Sequence, residues 1–209
     1  MTITHGYCTL DELKHSNRLN IQSSDSYSDD LLEGVIEAVS RRIDDTCHRF
    51  FFTDADSDPV TDLYFTPLNS IDVFTDDIRT MTGLAVAIDN NDDGVYETSF
   101  DSDSYIVEPA NAIFKGEPFQ KITIRSRSGK LFPKDVISSV KVSAHYGWSS
   151  VPKPIQQACL LQSERLFKRF STPLGSESMT ALGRMTLSIP SLDPDVELLI
   201  SRYIKIVWG

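Results

Sequence analysis

Hydrophobic residues recur at helical spacing in three stretches near the two ends of the chain. One apolar stripe runs from 31 to 47, and Ser28 or Asp29 is suited to open its helix. A second stripe runs from 155 to 170, and a third from 196 to 204. Charged residues lie mostly on the opposite side, as in an amphipathic helix that buries one face. The pattern therefore predicts three helices, of which the first two are long.

Capping signals add a fourth, short helix and fix the start of the last one. Thr9 and Glu12 have the spacing of a capping box, in which each side chain accepts the other residue's free backbone N–H. This helix is expected to run to about Arg18. Asp193 can cap the final helix, with Pro194 in its first turn.

Between 53 and 150 the helical period is replaced by short segments with the alternation and composition of β-strands. The predicted strands are 62–66, 70–74, 84–89, 95–100, 104–107, 121–125 and 138–146. Turn formers separate them, including the run 90–94 and Ser128-Gly129. This part of the chain is therefore predicted to be an insertion of short antiparallel strands.

Together these elements predict an α+β protein. Residues 1–52 together with 151–209 are expected to form a helical bundle built from the N- and C-terminal helices, and residues 53–150 an inserted β-rich domain. At 209 residues the chain is long enough to bury a substantial core.

Composition narrows the class of protein. A hydrophobic fraction of 40% argues against wholesale disorder. No apolar run approaches the roughly 18 residues of a membrane span, and the first residues lack the basic region and apolar core of a secretion signal. We expect a soluble, intracellular protein without a membrane partner.

The net charge of −10 is unevenly distributed. Residues 1–110 carry 23 acidic and 6 basic side chains, whereas residues 111–209 carry 7 acidic and 14 basic ones. This asymmetry favours head-to-tail association of identical copies over tight binding of nucleic acid. The alternative is a compact monomer in which both halves have solvated charged faces.

The three cysteines, Cys8, Cys47 and Cys159, lack the close spacing of a metal or redox motif. Cys47 and Cys159 fall on the apolar stripes of their helices, so buried, reduced thiols are expected.

One motif has chemical content. Residues 89–94 match the front half of a calcium loop, with Asp89, Asn91 and Asp93 as weak candidate ligands. The twelfth position, where such a loop has Glu, is Phe100. A simple hairpin turning near Asp93 and Gly94 is the favoured alternative.

No catalytic motif accompanies it. The sequence contains no Gly-rich phosphate loop, no G-x-S-x-G elbow and no H-E-x-x-H pair. We therefore expect no catalytic residues, no cofactor and no enzymatic activity.

Three pieces of the chain, in this order, resemble the head–tail connector, or adaptor, proteins of tailed bacteriophages and related prophage or gene-transfer particles. They are 7–13 followed by 30–44; 146–148 leading through 151–152 into 155–158 and 166–169; and 192–196 before Leu199 and Tyr203. The resemblance implies a structural virion protein located in the neck and assembled in the host cytoplasm. It implies a ring of about twelve copies that joins the capsid portal to a tail or neck completion protein.

The resemblance also suggests roles for individual residues. The closing segment supplies the portal-docking candidates Asp193, Pro194, Tyr203 and Trp208, because a terminal helix with flanking arms can reach another ring. Independently of the resemblance, Tyr146 and Trp148 near a turn are candidate interface anchors, because aromatic residues are enriched in interface hot spots; core packing is the alternative.

Double-stranded DNA would pass through the ring without specific binding. Carboxylates that line the channel would repel it, and the acidic excess of the first half fits such a lining. The alternative function is a small soluble binding module with a weak calcium-binding hairpin.

Overall fold

The computed structural model describes residues 3–16, 19, 21–22, 26, 28–52, 60–170, 179–180, 183–184 and 192–205. In chain order the helices are α1 Leu10–Lys14, α2 Asp29–Cys47, α3 Ala112–Lys115, α4 Lys153–Phe170 and α5 Pro194–Ile200. The strands are β1 Thr61–Phe65, β2 Asp72–Ile88, β3 Thr98–Phe100, β4 Tyr105–Glu108, β5 Phe119–Ile124, β6 Val140–Tyr146, β7 Met179–Thr180 and β8 Gly183–Arg184. Helices and antiparallel strands are both present, so the predicted α+β class is confirmed.

Contacts within the chain divide it into two compact units. The first comprises residues 1–50 and 151–209 and is called the terminal unit; the second comprises residues 51–150 and is called the central unit. Among the described helices, none is long and apolar enough to cross a membrane.

In the terminal unit, α4 packs against both α2 and α5, and α1 contacts α2 and α4. The apolar stripes predicted from the sequence are buried at these contacts, because each helix has one face rich in aliphatic side chains. The buried side chains include Leu13, Leu32, Val35, Ile36, Val39, Ile43, Ile155, Ala158, Val196 and Ile200.

The capping box of α1 is confirmed, but the helix is shorter than predicted. The backbone N–H of Glu12 donates to Thr9 Oγ1 over 3.1 Å, and that of Thr9 donates to Glu12 Oε2 over 2.8 Å. The helix ends at Lys14, and His15 is its C-cap. The buried Lys14 ammonium pairs there with Asp29 at the start of α2. This tertiary contact is not visible in the local sequence.

The central unit contains one antiparallel sheet in the order β1-β6-β2-β5-β4, with β3 beside β2. Strand β2 is its centre, since β2 pairs with β5 along 72–78 and with β6 along 78–88. The sequence predicted two short strands, 70–74 and 84–89, in place of this single strand. That prediction was wrong because the register shifts between Phe74 and Ala85 break the alternation of buried and exposed residues.

Two smaller features of the central unit also differ from the prediction. The strand expected at 95–100 is reduced to β3, because the residues before Thr98 belong to a loop. Helix α3 was not predicted, since four residues are too few to show a helical period. Its first residue, Ala112, is fully buried in the core of this unit and fixes the helix to it.

Candidate functional site

The acidic loop after β2 is organised around the buried carboxylate of Asp89. Its Oδ1 accepts the backbone N–H groups of Asn91 at 3.1 Å and Asp92 at 2.8 Å, and its Oδ2 accepts that of Gly94 at 2.8 Å. Burial disfavours the charged form, but these hydrogen bonds outweigh it and hold the pKa of Asp89 below its ordinary value. Asp89 therefore fixes the conformation of the loop from inside.

The same loop brings carboxylates together. Oxygens of Asp89, Asp93 and Glu97 lie within 4.8 Å of one another. Two of the three predicted ligands are thus adjacent, while the Asn91 side-chain amide donates to Asp93 Oδ2 over 2.9 Å. Glu97 was missed because it lies outside the calcium-loop spacing. A cation here would compete with the backbone N–H groups that both Asp89 oxygens already accept.

Pairing of β2 with β3 shows that this region is a hairpin, as the favoured alternative stated. Residues 89–97 connect the two strands, so the turn is longer than a two-residue turn at Asp93-Gly94. Asp92 and Gly94 adopt positive φ angles of 60° and 80°, which Gly and Asp tolerate better than most residues.

Two portal-docking candidates form the start of α5. Asp193 Oδ1 accepts the backbone N–H of Asp195 at 2.8 Å, and Pro194 occupies the first helical turn, as predicted. Asp193 Oδ2 pairs with the Arg165 guanidinium of α4, and the Asp193 backbone N–H donates to Gln162 Oε1. Asp193 therefore links α5 to α4, and this internal role uses both of its carboxylate oxygens.

Tyr203 is also involved in internal packing, being only 8% exposed. The backbone N–H of Lys205 donates to the carbonyl of Cys47 over 2.9 Å, which ties the chain after α5 to the end of α2. Leu198 is 76% exposed and Ile204 is 46% exposed, so they offer more contact area to a partner than Tyr203 does. Trp208, the fourth candidate, lies outside the described residues.

The structure places Trp148 in the interior of the central unit. Its side chain is 3% exposed, and its ring centroid lies 5.3 Å from that of Phe51. Its Nε1–H donates to Asp77 Oδ2 over 3.0 Å, and the backbone N–H of Gly147 donates to the Asp77 carbonyl over 2.7 Å. Core packing, the alternative left open by the sequence, therefore describes Trp148 better than an interface anchor.

Tyr146 is partly buried in the same strand end. Its hydroxyl donates to the Val142 carbonyl over 3.0 Å. Burial raises the pKa of Tyr146, so the phenol stays protonated at neutral pH. The residue is only partly buried, so part of it remains accessible to another molecule.

An exposed apolar tip was not found from the sequence. On α3, Phe114 is 93% exposed and Ile113 is 66% exposed. The helix ends at Lys115, and its C-cap Gly116 adopts the left-handed conformation with a φ of 67°. The Gly116 N–H donates to the carbonyls of Ala112 and Ile113. The signal available in the sequence was two large apolar residues between the turn formers Asn111 and Gly116.

A second apolar surface lies on the loops 66–71 and 131–138. The backbone N–H of Phe132 donates to the Ser70 carbonyl over 2.8 Å, and that of Ser138 donates to Thr66 Oγ1 over 2.9 Å. These bonds hold the two loops side by side. Their exposed large hydrophobic residues are Leu68, Ile71, Leu131 and Ile137. Exposed apolar residues on adjacent loops are a feature of protein–protein contact surfaces.

Comparisons with known proteins identify the fold. No family model and no curated protein matches the chain. Among solved structures, the chain is similar to one in the neck of an empty gene transfer agent (GTA) particle computed with C6 symmetry, at 16% identity and a TM-score of 0.54. It is also similar to a chain in the virion of a native gene transfer agent (GTA) particle, at 15% identity and a TM-score of 0.53.

Both alignments cover 100% of this chain and 96% of the other. The fold of a neck component of a phage-like particle is therefore shared over the full length. This confirms, at the level of the fold, the resemblance drawn from the sequence.

Proposed function

We propose that this chain is a structural virion protein of the neck, where copies of it form a ring between the capsid portal and the tail or neck completion protein. The full-length similarity of fold to a chain of a GTA particle's neck carries the proposal. A structural role of this kind requires no catalytic group and no cofactor.

A closed ring needs two different patches, because each subunit contacts its neighbours through opposite sides. Two separate apolar surfaces are exposed in the central unit: the α3 tip with Phe114, and the paired loops with Leu68 and Ile137. We propose them as contacts with other neck subunits. Tyr146 is kept as an interface candidate because part of its side chain is exposed.

The proposed ring contains about twelve copies, so that each subunit is rotated by about 30° from the next. The C6 symmetry of the similar neck is compatible with twelve copies, since twelve is a multiple of six. Mass photometry of the assembled ring measures this number directly.

For portal docking we propose the segment that starts at Asp193. Asp193 and Pro194 set the position of α5, while Leu198 and Ile204 present the apolar area. Truncation before Asp193 should weaken binding to the cognate portal. Unchanged binding would show that docking uses another surface.

The charge of the central unit suits a channel for DNA. Residues 51–150 carry 16 acidic and 8 basic side chains. Carboxylates facing the bore would repel phosphates and prevent salt-dependent retention of the duplex, so the genome could pass. A ring structure whose bore is lined by Lys and Arg would refute this part of the proposal.

We further propose that the terminal helices form one bundle and that the central unit is an inserted domain. The packing of α4 against α2 and α5 supports a bundle assembled from both chain ends. Expression of residues 51–150 alone tests the insertion, because an independent domain should keep its sheet and unfold cooperatively.

The main experiment measures the size of the purified full-length chain alone and with its cognate portal, by analytical ultracentrifugation and electron microscopy. We expect a ring on the portal. A chain that stays monomeric beside the portal and beside every other neck component would refute the function.

A second candidate function is a small binding module that responds to calcium. The observation in its favour is the proximity of the Asp89, Asp93 and Glu97 carboxylates. Isothermal calorimetry with calcium tests it. Saturable binding that is lost in Asp93→Asn, together with failure to associate with the portal, would favour this alternative.

A further inference from the structure

Two cysteines that are far apart in the sequence meet inside the terminal unit. Cys8 precedes α1, Cys159 lies within α4, and their sulfur atoms are 3.4 Å apart across 151 sequence positions. Both side chains are buried and both thiols are free. The sequence predicted buried thiols but gave no reason to pair these two.

Two serine hydroxyl groups lie beside Cys159, although the contact between the helices around the pair is apolar. Ser40 Oγ lies 3.5 Å and Ser163 Oγ lies 3.9 Å from Cys159 Sγ. Ser40 Oγ also donates to the Ile36 carbonyl and accepts the backbone N–H of Tyr7. Because the Ser40 hydroxyl hydrogen is donated to the Ile36 carbonyl, Ser163 is the one of these two hydroxyl groups that can donate to the Cys159 sulfur.

The two thiols differ in acidity. A hydrogen bond from the Cys8 thiol lowers the pKa of Cys159 and outweighs the opposing effect of burial. The same hydrogen bond, together with burial, raises the pKa of Cys8. Cys159 is therefore the more readily deprotonated thiol, which suits it to attack once Cys8 carries a mixed disulfide.

One side of the pair borders a groove. Cys8 lines a groove of about 750 Å³ between α1 and the first half of α4, together with Glu12, His15 and Lys153. Cys159 does not line this groove, so a reagent in it meets Cys8 first.

We propose that Cys8 and Cys159 form a reversible disulfide within one chain, and that the co-reactant is a small disulfide such as oxidised glutathione. Cys8 reacts first because it is the thiol that lines the groove. Its sulfur attacks the glutathione disulfide, the departing glutathione thiolate takes up the Cys8 proton, and a mixed disulfide remains on Cys8. The Cys159 thiolate then attacks Cys8 Sγ and releases the second glutathione. The protein loses two electrons and two protons, and one glutathione disulfide becomes two glutathione thiols.

The geometry requires only a small movement. A disulfide bond is about 2.05 Å long, so the sulfur atoms, now 3.4 Å apart, must approach by about 1.4 Å. The product would join the segment before α1 to α4. Because the bridge closes 151 positions, it restricts the unfolded chain strongly and should raise the melting temperature of the oxidised protein by about 5–15 °C.

The test uses the full-length chain incubated with oxidised glutathione under native conditions, followed by thiol counting and peptide mapping. We expect two of the three thiols to be lost, a single Cys8–Cys159 linked peptide, and full reversal by a reductant. Cys47→Ser should react like the wild type. Cys159→Ser should accumulate glutathione on Cys8, because the second attack is missing.

Three results would overturn the proposal: unchanged thiols, a wild-type protein that stops at the mixed disulfide, or a bridge that includes Cys47. The wild-type peptide map decides between these even if a cysteine variant fails to fold. The inference is independent of the proposed function, since a monomer and a ring subunit contain the same pair.

Discussion

Two substitutions test whether Trp148 is a core residue and Phe114 a surface residue available for contacts. In Trp148→Phe, the indole N–H that donates to Asp77 Oδ2 over 3.0 Å is lost. A buried hydrogen bond to a carboxylate contributes about 1–3 kcal/mol to stability, and the smaller phenyl ring loses roughly 1 kcal/mol of stabilisation because it buries less apolar area. The free energy of unfolding should therefore fall by about 2–4 kcal/mol.

Phe114→Ala should show the opposite profile. Phe114 is 93% exposed, so its removal should change the free energy of unfolding by less than about 0.5 kcal/mol. If the α3 tip is an interface hot spot, assembly should weaken at least about tenfold. Met81→Ala, which removes another exposed apolar side chain, is the matched control for a general loss of apolar surface.

The assays are urea unfolding followed by circular dichroism, and sedimentation of each variant alone and with the portal. Hydrogen exchange along β2 and β6 locates the effect of Trp148→Phe within the central unit. The reasoning would fail if Trp148→Phe kept its stability but lost assembly, since Trp148 would then be an interface residue. It would also fail if Phe114→Ala unfolded the protein.

Three further predictions concern single carboxylates. Burial raises the pKa of Asp44 to about 6, despite the hydrogen bond from Tyr7. Because this folded-state pKa lies above the unfolded value of 3.8, the stability contributed by protonated Asp44 is present below pH 3.8 and is lost as the pH rises through about 6. Asp44→Asn should therefore flatten the pH dependence of the urea midpoint over this range. Asp89→Asn should speed amide hydrogen exchange in the acidic loop, measured by NMR, because the NH₂ group of the asparagine side chain cannot accept the N–H groups that the two carboxylate oxygens accept now. Protection equal to that of the wild type would contradict this. Asp193→Ala should lower the free energy of unfolding by about 0.5–2 kcal/mol, because the N-cap of α5 is lost. Urea unfolding measures this change, and Asp195→Ala, at an exposed position of the same helix, is the control with the smaller expected effect.

Elements whose signals are local were predictable from the sequence. The capping box at Thr9 and the Asp193-Pro194 start of α5 follow from side chains that satisfy free N–H groups within three or four residues. The long amphipathic stripes of α2 and α4 follow in the same way from the helical period. For such features, local hydrogen bonding and periodic burial contain the whole physical cause.

Features that depend on contacts between distant residues needed the tertiary structure. The continuity of β2 across its register shifts is imposed by its neighbours β5 and β6, because strand pairing and not local alternation holds these residues. The meeting of Cys8 with Cys159 and the burial of Trp148 against Asp77 arise in the same way. Sequence spacing records which side chains can be buried, but the partner that each one meets is decided only when the helices and strands pack.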